Sequence, residues 1–201
     1  MLEVVRPVIA VFARAPRLGQ VKTRLAAEIG AAAALDTHTR LLERTLAAVE
    51  GVTEADCEIW LDAACDVPTT LPQRLQTSGD LGVRMLAVIE DVVQRGRAVI
   101  VLGSDCPVVD ADYLRSAVAA LACHDVVLGP VEDGGYVLIG MRRPHPELLL
   151  GMRWSHARVT ADTLERARTS GLTVGVLETL WDVDSAADWA RWQGLPAPRP
   201  P

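Results

Sequence analysis

The stretch "AVIVLGSDCP", residues 98–107, decides the expected fold of this 201-residue chain. Five apolar residues run directly into Gly103, Ser104 and the ionisable Asp105, and Pro107 prevents the strand from continuing smoothly. A short apolar run that ends in turn-forming residues is typical of a buried strand in a parallel sheet. A carboxylate at the end of such a strand needs hydrogen bonds or a cation. The stretch therefore predicts a parallel sheet and raises the question of what Asp105 binds.

Apolar runs of strand length alternate with segments of helical period on both sides of this stretch. Strands are predicted at 8–13, 57–62, 98–104, 125–131, 135–141 and 172–178, and helices at about 21–49, 81–96, 110–122, 158–171 and 184–192. The strands at 125–131 and 135–141 are close enough in the chain to pair antiparallel. The alternation indicates an α/β fold with a mostly parallel sheet, as one domain over residues 1–194. An irregular proline-rich tail is expected at 195–201.

Composition narrows the class of ligand. The formal net charge is −6 and few residues are aromatic, which argues against nucleic acid because such binding depends on many Lys and Arg contacts to phosphates. The four cysteines show no Cys-x-x-Cys spacing, so reduced thiols and a cytoplasmic protein are expected. The apolar run at 8–13 is too short to span a membrane. We therefore expect a small-molecule ligand.

A glycine-containing segment with several cations follows the first predicted strand. It holds Arg14, Gly19, Lys22 and Arg24, and Lys22 is the only lysine in the chain. In open α/β sheets, ligands bind beyond the carboxyl ends of the strands. A glycine-containing loop that leads into a helix suits a di- or triphosphate, because helix N-termini attract anions. The alternative interpretation is a solvated basic turn.

Acidic residues follow the later strands. Asp105 is expected either to bind Mg²⁺, which prefers one or two carboxylates with water and phosphate oxygens, or to cap a turn. Asp182 and Asp184 are two residues apart, so they share one side of an extended segment. Ser185 and Asp188 have the spacing of a capping box, so a capping role for this segment is the alternative.

Three further groups of residues have simpler expectations. The turn at 132–136 contains two glycines, which allow either close approach of the backbone to a ligand or a tight hairpin. The four histidines do not cluster in the sequence, and each is expected at the surface or in a cap. Trp181, Trp189 and Trp192 are expected to anchor the last helix in the core.

Six segments, in this order, resemble one bacterial family. They are "FARAPRLGQVKTRLA" (12–26), "GDLGVRM" (79–85), "VIVLGSDCP" (99–107), "VVLGPVEDGGYVLIGM" (126–141), "RWSHARVTADTL" (153–164) and "WDVDSAADW" (181–189). The family comprises small GT-A-like proteins described as selenodomain- or radical-SAM-associated transferase 1, or as glycosyltransferases. The resemblance covers about residues 8–192. It implies the Rossmann-like GT-A fold of nucleotide-diphospho-sugar transferases, a three-layer sandwich that binds a nucleotide over its N-terminal half and a divalent metal after a central strand.

The resemblance also implies roles for individual residues. Lys22 and Arg24 would act in catalysis by holding phosphates, and Asp105 would be the principal ligand of Mg²⁺ or Mn²⁺, with Asp184 or Asp182 as the second. The implied nucleotide-binding residues are Arg14, Gly19, Lys22, Thr23, Arg24, Gly79, Asp80, Leu81, Gly82 and Ser104. The implied acceptor-binding residues are Asp133, Gly134, Gly135, Tyr136, Trp154 and Ser155.

The resemblance leaves more than one activity open. GT-A glycosyltransferases typically hold their metal with Asp-x-Asp after this strand, but Pro107 occupies the second acidic position here. The Asp105-x-Pro107 pattern and the "VKTRL" segment at 21–25 are similar to small-molecule guanylyltransferases, such as those for the molybdenum cofactor and 2-phospho-L-lactate. This similarity implies nucleotidyl transfer from an NTP to a small phosphorylated or hydroxylated metabolite, with release of pyrophosphate. Glycosyl transfer from a nucleotide-sugar and non-catalytic nucleotide binding are the alternatives.

Overall fold

A computed structural model describes residues 5–194 of the chain. Within that range the strands are β1 (Val8–Ala13), β2 (Asp56–Leu61), β3 (Gln73–Leu75), β4 (Val99–Gly103), β5 (Val126–Pro130), β6 (Tyr136–Met141) and β7 (Val174–Val176). The helices are α1 (Thr23–Ile29), α2 (Ala31–Glu50), α3 (Leu81–Gln94), α4 (Ala111–Cys123), α5 (Pro146–Leu149), α6 (Val159–Thr169) and α7 (Ala186–Gln193). The tail predicted at 195–201 lies outside the described residues.

The seven strands of the described chain form one sheet in the order β3-β2-β1-β4-β6-β5-β7. β6 runs antiparallel to its neighbours β4 and β5, and the other pairings are parallel. The predicted mostly parallel sheet and the antiparallel pair at 125–141 are therefore confirmed. Because β6 is reversed, its first residue Tyr136 lies at the same sheet edge as the carboxyl ends of β1 and β4.

Apolar residues alternate between the two faces of the sheet, so each face has its own core. In β1, Ile9, Val11 and Ala13 pack into a cluster that includes side chains of α2 and α4. Val8 and Ala10 face the opposite way, into a cluster with α3, α5 and α6. Helices on both faces of one sheet make a three-layer α/β sandwich, as expected.

The single helix predicted over 21–49 is wrong. The helix is interrupted at Gly30, whose φ of 89° is unfavourable for residues other than glycine. α1 and α2 are therefore separate helices. β3 and α5 were not predicted, because a three-residue exposed strand and a four-residue helix leave little periodic signal.

Capping residues fix the ends of the other helices near the site. The Asp110 carboxylate accepts a hydrogen bond from the Tyr113 backbone N–H at 2.8 Å, which starts α4. Ser185 and Asp188 form the predicted capping box at the start of α7. Trp181 is buried in a smaller cluster with side chains of α1 and α2, and Trp189 and Trp192 of α7 pack against that cluster. Among the described residues, no helix is both long enough and apolar enough to cross a membrane.

Candidate functional site

A cleft of about 440 Å³ opens beyond the carboxyl ends of β1 and β4, next to the start of β6. Most residues singled out from the sequence line it: Arg14, Lys22, Thr23, Arg24, Leu81, Ser104, Asp105, Asp133, Gly135, Tyr136, Trp154, Ser155 and Asp184. They come from six separate segments of the chain. The fold therefore brings both ends of the sequence to one site.

The Lys22 ammonium lies at the centre of the charged part of the cleft. Its Nζ is 2.7 Å from Asp105 Oδ1 and 4.0 Å from Asp184 Oδ1, and it donates a hydrogen bond of 2.8 Å to the Val183 carbonyl oxygen. The Lys22 side chain keeps only 3% of its surface exposed, whereas the Asp105 and Asp184 side chains keep 47% and 46%. The ammonium is thus enclosed, and both carboxylates remain open to a ligand.

Local backbone structure explains how these three side chains meet. Lys22 adopts a left-handed conformation (φ 43°, ψ 49°) immediately before α1, which is uncommon for a residue other than glycine. The Val183 N–H donates to the Asp105 carbonyl oxygen at 3.1 Å, so the segment before α7 is tied to the loop after β4. The same segment then supplies the Val183 carbonyl to Lys22. Strained backbone of this kind persists only where surrounding contacts hold it, as they do here.

The carboxylates have opposite pKa shifts. Enclosure in the cleft raises the pKa of Asp105, but the Lys22 ammonium lowers it more, so its pKa lies below the ordinary value. Burial, followed by repulsion from Asp105, raises the pKa of Asp184. Burial and the neighbouring Asp133, Asp184 and Asp105 raise the pKa of Asp182 to about 7. Asp105, Asp182 and Asp184 therefore concentrate negative charge beside the Lys22 ammonium and repel one another.

This charge distribution suits a divalent cation. Asp105 and Asp184 both lie within 4.0 Å of one point, the Lys22 ammonium, and Mg²⁺ typically takes one or two carboxylates while water and phosphate oxygens complete its coordination. Within residues 5–194, no group of three or more His, Cys, Asp or Glu side chains is arranged to hold a metal. The donor set thus fits an ion that arrives with a phosphate ligand rather than one held by protein alone.

Two arginines lie on the outer side of the charged centre. Arg24 Nη1 is 3.8 Å from Asp184 Oδ2, and the Arg24 side chain is 73% exposed. Arg14 donates from Nη1 to the Gln20 carbonyl oxygen at 3.1 Å, which folds the loop containing Gly19 back towards β1. Both guanidinium groups can reach a phosphate chain in the cleft.

His38 is a cleft residue that the sequence expectation missed. It is 3% exposed, which contradicts a surface position, and its Nε2 lies 3.0 Å from the Arg14 carbonyl oxygen. Its spacing from Ala34 and Leu41 places it on the buried stripe of α2, so helical periodicity could have identified it. Through this contact His38 helps to hold the backbone of the Arg14 loop in place.

Five of the six predicted acceptor residues line the cleft, and Gly134 does not. The Asp133 carboxylate accepts a hydrogen bond from the Gly135 N–H at 2.7 Å, which orders the turn before β6. The Tyr136 and Trp154 rings meet edge to face, with centroids 6.2 Å apart. Ser155 has a φ of 62°, a second left-handed residue at the cleft.

Six predicted site residues do not line the cleft: Gly19, Gly79, Asp80, Gly82, Gly134 and Asp182. Asp80 instead caps α3, because its carboxylate accepts from the Val83 N–H at 2.9 Å. Gly82 lies so close to the Leu149 carbonyl that a Cβ there would collide with it, and Gly134 is packed in the same way against Ala157. These two glycines serve packing. Of the segment 79–82, only Leu81 reaches the cleft.

Arg84 and Gln76 also line the cleft and were not predicted. Gln76 Nε2 donates to the carbonyl oxygens of Ala13 and Trp60, and its Oε1 accepts from Arg84 Nη1 at 2.9 Å. Leu81, Arg84 and Met85 all line the cleft at the three- and four-residue spacing of one helix face. That spacing within "GDLGVRM" could have identified Arg84.

Comparisons with known proteins agree with this architecture. A family model described as an uncharacterized protein conserved in bacteria (DUF2064) matches residues 20–156. A crystal structure from Desulfovibrio desulfuricans G20, presented as a proposed nucleotide-diphospho-sugar transferase, is 30% identical with a TM-score of 0.84, covering 91% of this chain and 84% of that one.

Two more distant structures share the fold. The inositol-1-phosphate CTP transferase from T. maritima is 12% identical with a TM-score of 0.59, and the alignment covers 96% of each chain. Rv0371C from Mycobacterium tuberculosis H37Rv, in complex with manganese, is 15% identical with a TM-score of 0.59, covering 94% of this chain and all of that one. No protein with a curated description matched this sequence.

Proposed function

This chain belongs to the bacterial family DUF2064, and from its cleft we propose that it is a divalent-metal-dependent transferase with a nucleotide donor. The reaction proposed is nucleotidyl transfer from an NTP to a small phosphorylated or hydroxylated metabolite. An acceptor oxygen attacks the α-phosphorus, the bond from that phosphorus to the oxygen bridging the α- and β-phosphates breaks, and pyrophosphate leaves. A hydroxyl acceptor releases its proton to water in this step.

One observation carries this proposal: Asp105 and Asp184, from distant parts of the chain, both face the Lys22 ammonium at an open cleft. Carboxylates and cations beyond the carboxyl ends of parallel strands are the groups that a metal–nucleotide complex requires. The carboxylates would hold the metal, and the arginines would contact the phosphates. The pairing with Lys22 leaves nearly half of each carboxylate side chain exposed, so both remain able to bind a metal ion.

Asp105 and Asp184 are the proposed ligands of Mg²⁺ or Mn²⁺, and the manganese complex of Rv0371C, which has the same fold, is consistent with a divalent ion here. When bound, the metal would neutralise negative charge on the phosphates. Asp182 does not line the cleft, so its proposed contribution is electrostatic.

Arg14 and Arg24 are proposed to stabilise the charge that develops on the leaving pyrophosphate. Both present exposed guanidinium groups to the cleft. Lys22 does not contact the phosphates in this proposal, because its ammonium already contacts Asp105 and the Val183 carbonyl. Its proposed role thus shifts from holding phosphate to keeping the two carboxylates together.

Glycosyl transfer from a nucleotide-sugar is the second candidate, because the 30% identical Desulfovibrio desulfuricans structure is presented as a proposed nucleotide-diphospho-sugar transferase. We favour nucleotidyl transfer because Pro107 replaces the second acid of Asp-x-Asp. The same fold in an inositol-1-phosphate CTP transferase is consistent with this preference.

The test measures ligand-induced stabilisation and turnover together. Wild-type protein is heated with ATP, CTP, GTP, UTP or UDP-glucose, each with and without Mn²⁺, and each complex is then assayed for pyrophosphate or UDP release with phosphorylated acceptors. We expect one NTP to raise Tm only with the metal, because a ligand that binds the native state stabilises it. Pyrophosphate release from that NTP is expected to follow.

Asp105→Asn is the matched variant. Removing this charge is expected to lower turnover by about two orders of magnitude, corresponding to about 3 kcal/mol of transition-state stabilisation, with an unchanged far-ultraviolet circular dichroism spectrum. Wild-type turnover in Asp105→Asn would reject the metal site. Stabilisation by a nucleotide without turnover on any acceptor would favour non-catalytic nucleotide binding.

A further inference from the structure

Arg84 carries a charge that the cleft does not neutralise. Its Nη1 donates to the neutral Gln76 Oε1 at 2.9 Å, and its Nε is buried with no hydrogen-bond partner among the described residues. Within the same residues, no carboxylate pairs with it, in contrast to Arg74 and Arg95, which both pair with Glu58. A partly buried cation without a counter-ion is costly unless a ligand supplies one.

The Arg84 guanidinium is held in a defined position. Gln76 is itself fixed by bonds to the Ala13 and Trp60 carbonyls, so the Arg84–Gln76 bond ties the guanidinium to the ends of β1 and β2. The guanidinium carbon also lies 5.9 Å from the centre of the Phe12 ring. Because one terminal nitrogen is already bonded, the edge that contains Nε is the one left for a ligand. That edge matches the two oxygens of a carboxylate or a phosphate.

A second buried donor belongs to Trp154, which also lines the cleft. Trp154 Nε1 has no hydrogen-bond partner among the described residues, and the Trp154 ring packs over Gly82 of α3, the helix that carries Arg84. An indole N–H can only donate. The cleft lining also includes the apolar residues Phe12, Met85 and Ile139. Because buried donors in native proteins nearly always have a partner, a ligand with acceptor oxygens would complete both groups.

The position of Arg84 separates it from the proposed phosphate site. Lys22 precedes α1 and Arg24 lies on it, and α1 packs with α2 and α7. Arg84 lies on α3, in the layer on the opposite face of the sheet. The cleft therefore has two cationic regions, one beside α1 and the other on α3, on opposite faces of the sheet. Two separate anionic groups account for this arrangement better than one phosphate chain.

We propose that Arg84, together with the Trp154 N–H, binds an anionic group of the acceptor, so that the acceptor is a metabolite bearing a carboxylate or a phosphate in addition to the attacking oxygen. This inference rests on the proposed function, since it assigns the second cationic region of the same cleft to the acceptor. Arg84 is a specificity residue in this proposal, and Gln76 positions it.

The experiment observes the two donors directly. In a ¹⁵N–¹H spectrum of the full chain, the Arg84 Nε–H signal is identified by its loss in Arg84→Gln, and the Trp154 indole signal by its loss in Trp154→Phe. Inorganic phosphate and acetate are then titrated separately. We expect at least one of them to shift both signals saturably. A response to phosphate alone indicates a phosphorylated acceptor, and a response to acetate alone indicates a carboxylate acceptor.

The variants give the second readout. Arg84→Gln is expected to weaken binding of the effective anion about tenfold, and Trp154→Phe by less, because a charged hydrogen bond is stronger than a neutral one. Arg142→Gln is the control, since it removes the same charge from an exposed position outside the cleft lining. Its anion affinity is expected to match wild type.

Two results overturn the proposal. One is that neither anion shifts the Arg84 signal. The other is that Arg84→Gln weakens binding of the donor nucleotide alone by about tenfold, which would assign Arg84 to the donor instead. If the anions shift the signal but no nucleotide binds, the anion subsite stands and the proposed donor chemistry fails. The two proposals are therefore tested separately.

Discussion

Lys22 shows how one residue can organise the site through its charge. Its ammonium is enclosed between carboxylates that would otherwise repel each other, and its backbone adopts a left-handed conformation to reach them. An ammonium is compact and has three donors, whereas a guanidinium is planar and larger. The only lysine of the chain thus occupies the position where the shape of the cation matters.

Replacing Lys22 is expected to destabilise the protein in a cation-dependent way. Lys22→Met leaves Asp105 and Asp184 without their shared cation, which should lower the free energy of unfolding by about 2 kcal/mol, a value reduced because the carboxylates are half exposed. Millimolar Mn²⁺ should restore part of the loss. Thermal unfolding with and without Mn²⁺ measures both effects.

Lys22→Arg provides the comparison for this prediction. It keeps the charge but not the size, so we expect an intermediate stability and a marked fall in turnover. Equal Tm values for wild type and Lys22→Met without Mn²⁺ would contradict the proposed role of the ammonium.

At the scale of elements, an ion-pair network ties the C-terminal end of α3 to strands β2 and β3, away from the cleft. Glu58 on β2 is 4% exposed and accepts hydrogen bonds from Arg95, Arg74 and the Trp60 indole. Arg95 lies at the C-terminal end of α3. The same helix presents Arg84 to the cleft from its first turn. The network therefore helps to fix the helix that carries the proposed specificity residue.

Glu58 also predicts how stability depends on pH. Burial raises the pKa of Glu58, but bonds from Arg95, Trp60 and Arg74 lower it more, so its pKa lies below the ordinary value of 4.5. A carboxyl with a lowered folded-state pKa stabilises the fold above pH 4.5 and loses that contribution as the pH falls through the folded-state value.

Glu58→Gln is expected to lower the free energy of unfolding by about 2 kcal/mol at pH 7, because Arg95 loses its buried partner. The difference from wild type should shrink below pH 4.5. Urea denaturation between pH 3 and pH 8 measures it. A difference that stays constant down to pH 3 would show that the charge of Glu58 contributes nothing.

At the scale of the whole molecule, one continuous sheet separates two cores, and tryptophans report on different parts of it. Trp60 packs in the cluster with α3, and Trp181 lies in the smaller cluster with side chains of α1 and α2. The candidate site is built from both sides of the sheet edge. Its geometry therefore depends on the two cores staying together.

We expect the chain to unfold in one cooperative transition, in agreement with the proposed single domain over residues 1–194. In each of the variants Trp60→Phe and Trp181→Phe, the unfolding midpoint from tryptophan fluorescence should equal the midpoint from far-ultraviolet circular dichroism of the same variant. Separate midpoints within one variant would indicate that the layers unfold independently.

Local patterns in the sequence determined the fold class and many element positions. Alternating apolar runs placed β1, β4 and β6, and the capping residues Asp110 and Ser185 marked helix starts. These signals are local because hydrophobic period and capping depend on residues a few positions apart. The break at Gly30 was missed because a glycine within a helical pattern does not by itself end a helix.

The sequence also supplied the chemical types in the cleft, and only the tertiary structure decided which of them meet. Asp105 and Asp184 join at Lys22 because a backbone bond from Val183 to Asp105 brings distant segments together, and no local pattern encodes that contact. The packing roles of Gly82 and Gly134, and the lack of a carboxylate partner for Arg84 within residues 5–194, are likewise not readable from the sequence, because each depends on which groups lie opposite in space. Charge and period are properties of the chain, whereas burial and pairing are properties of the fold.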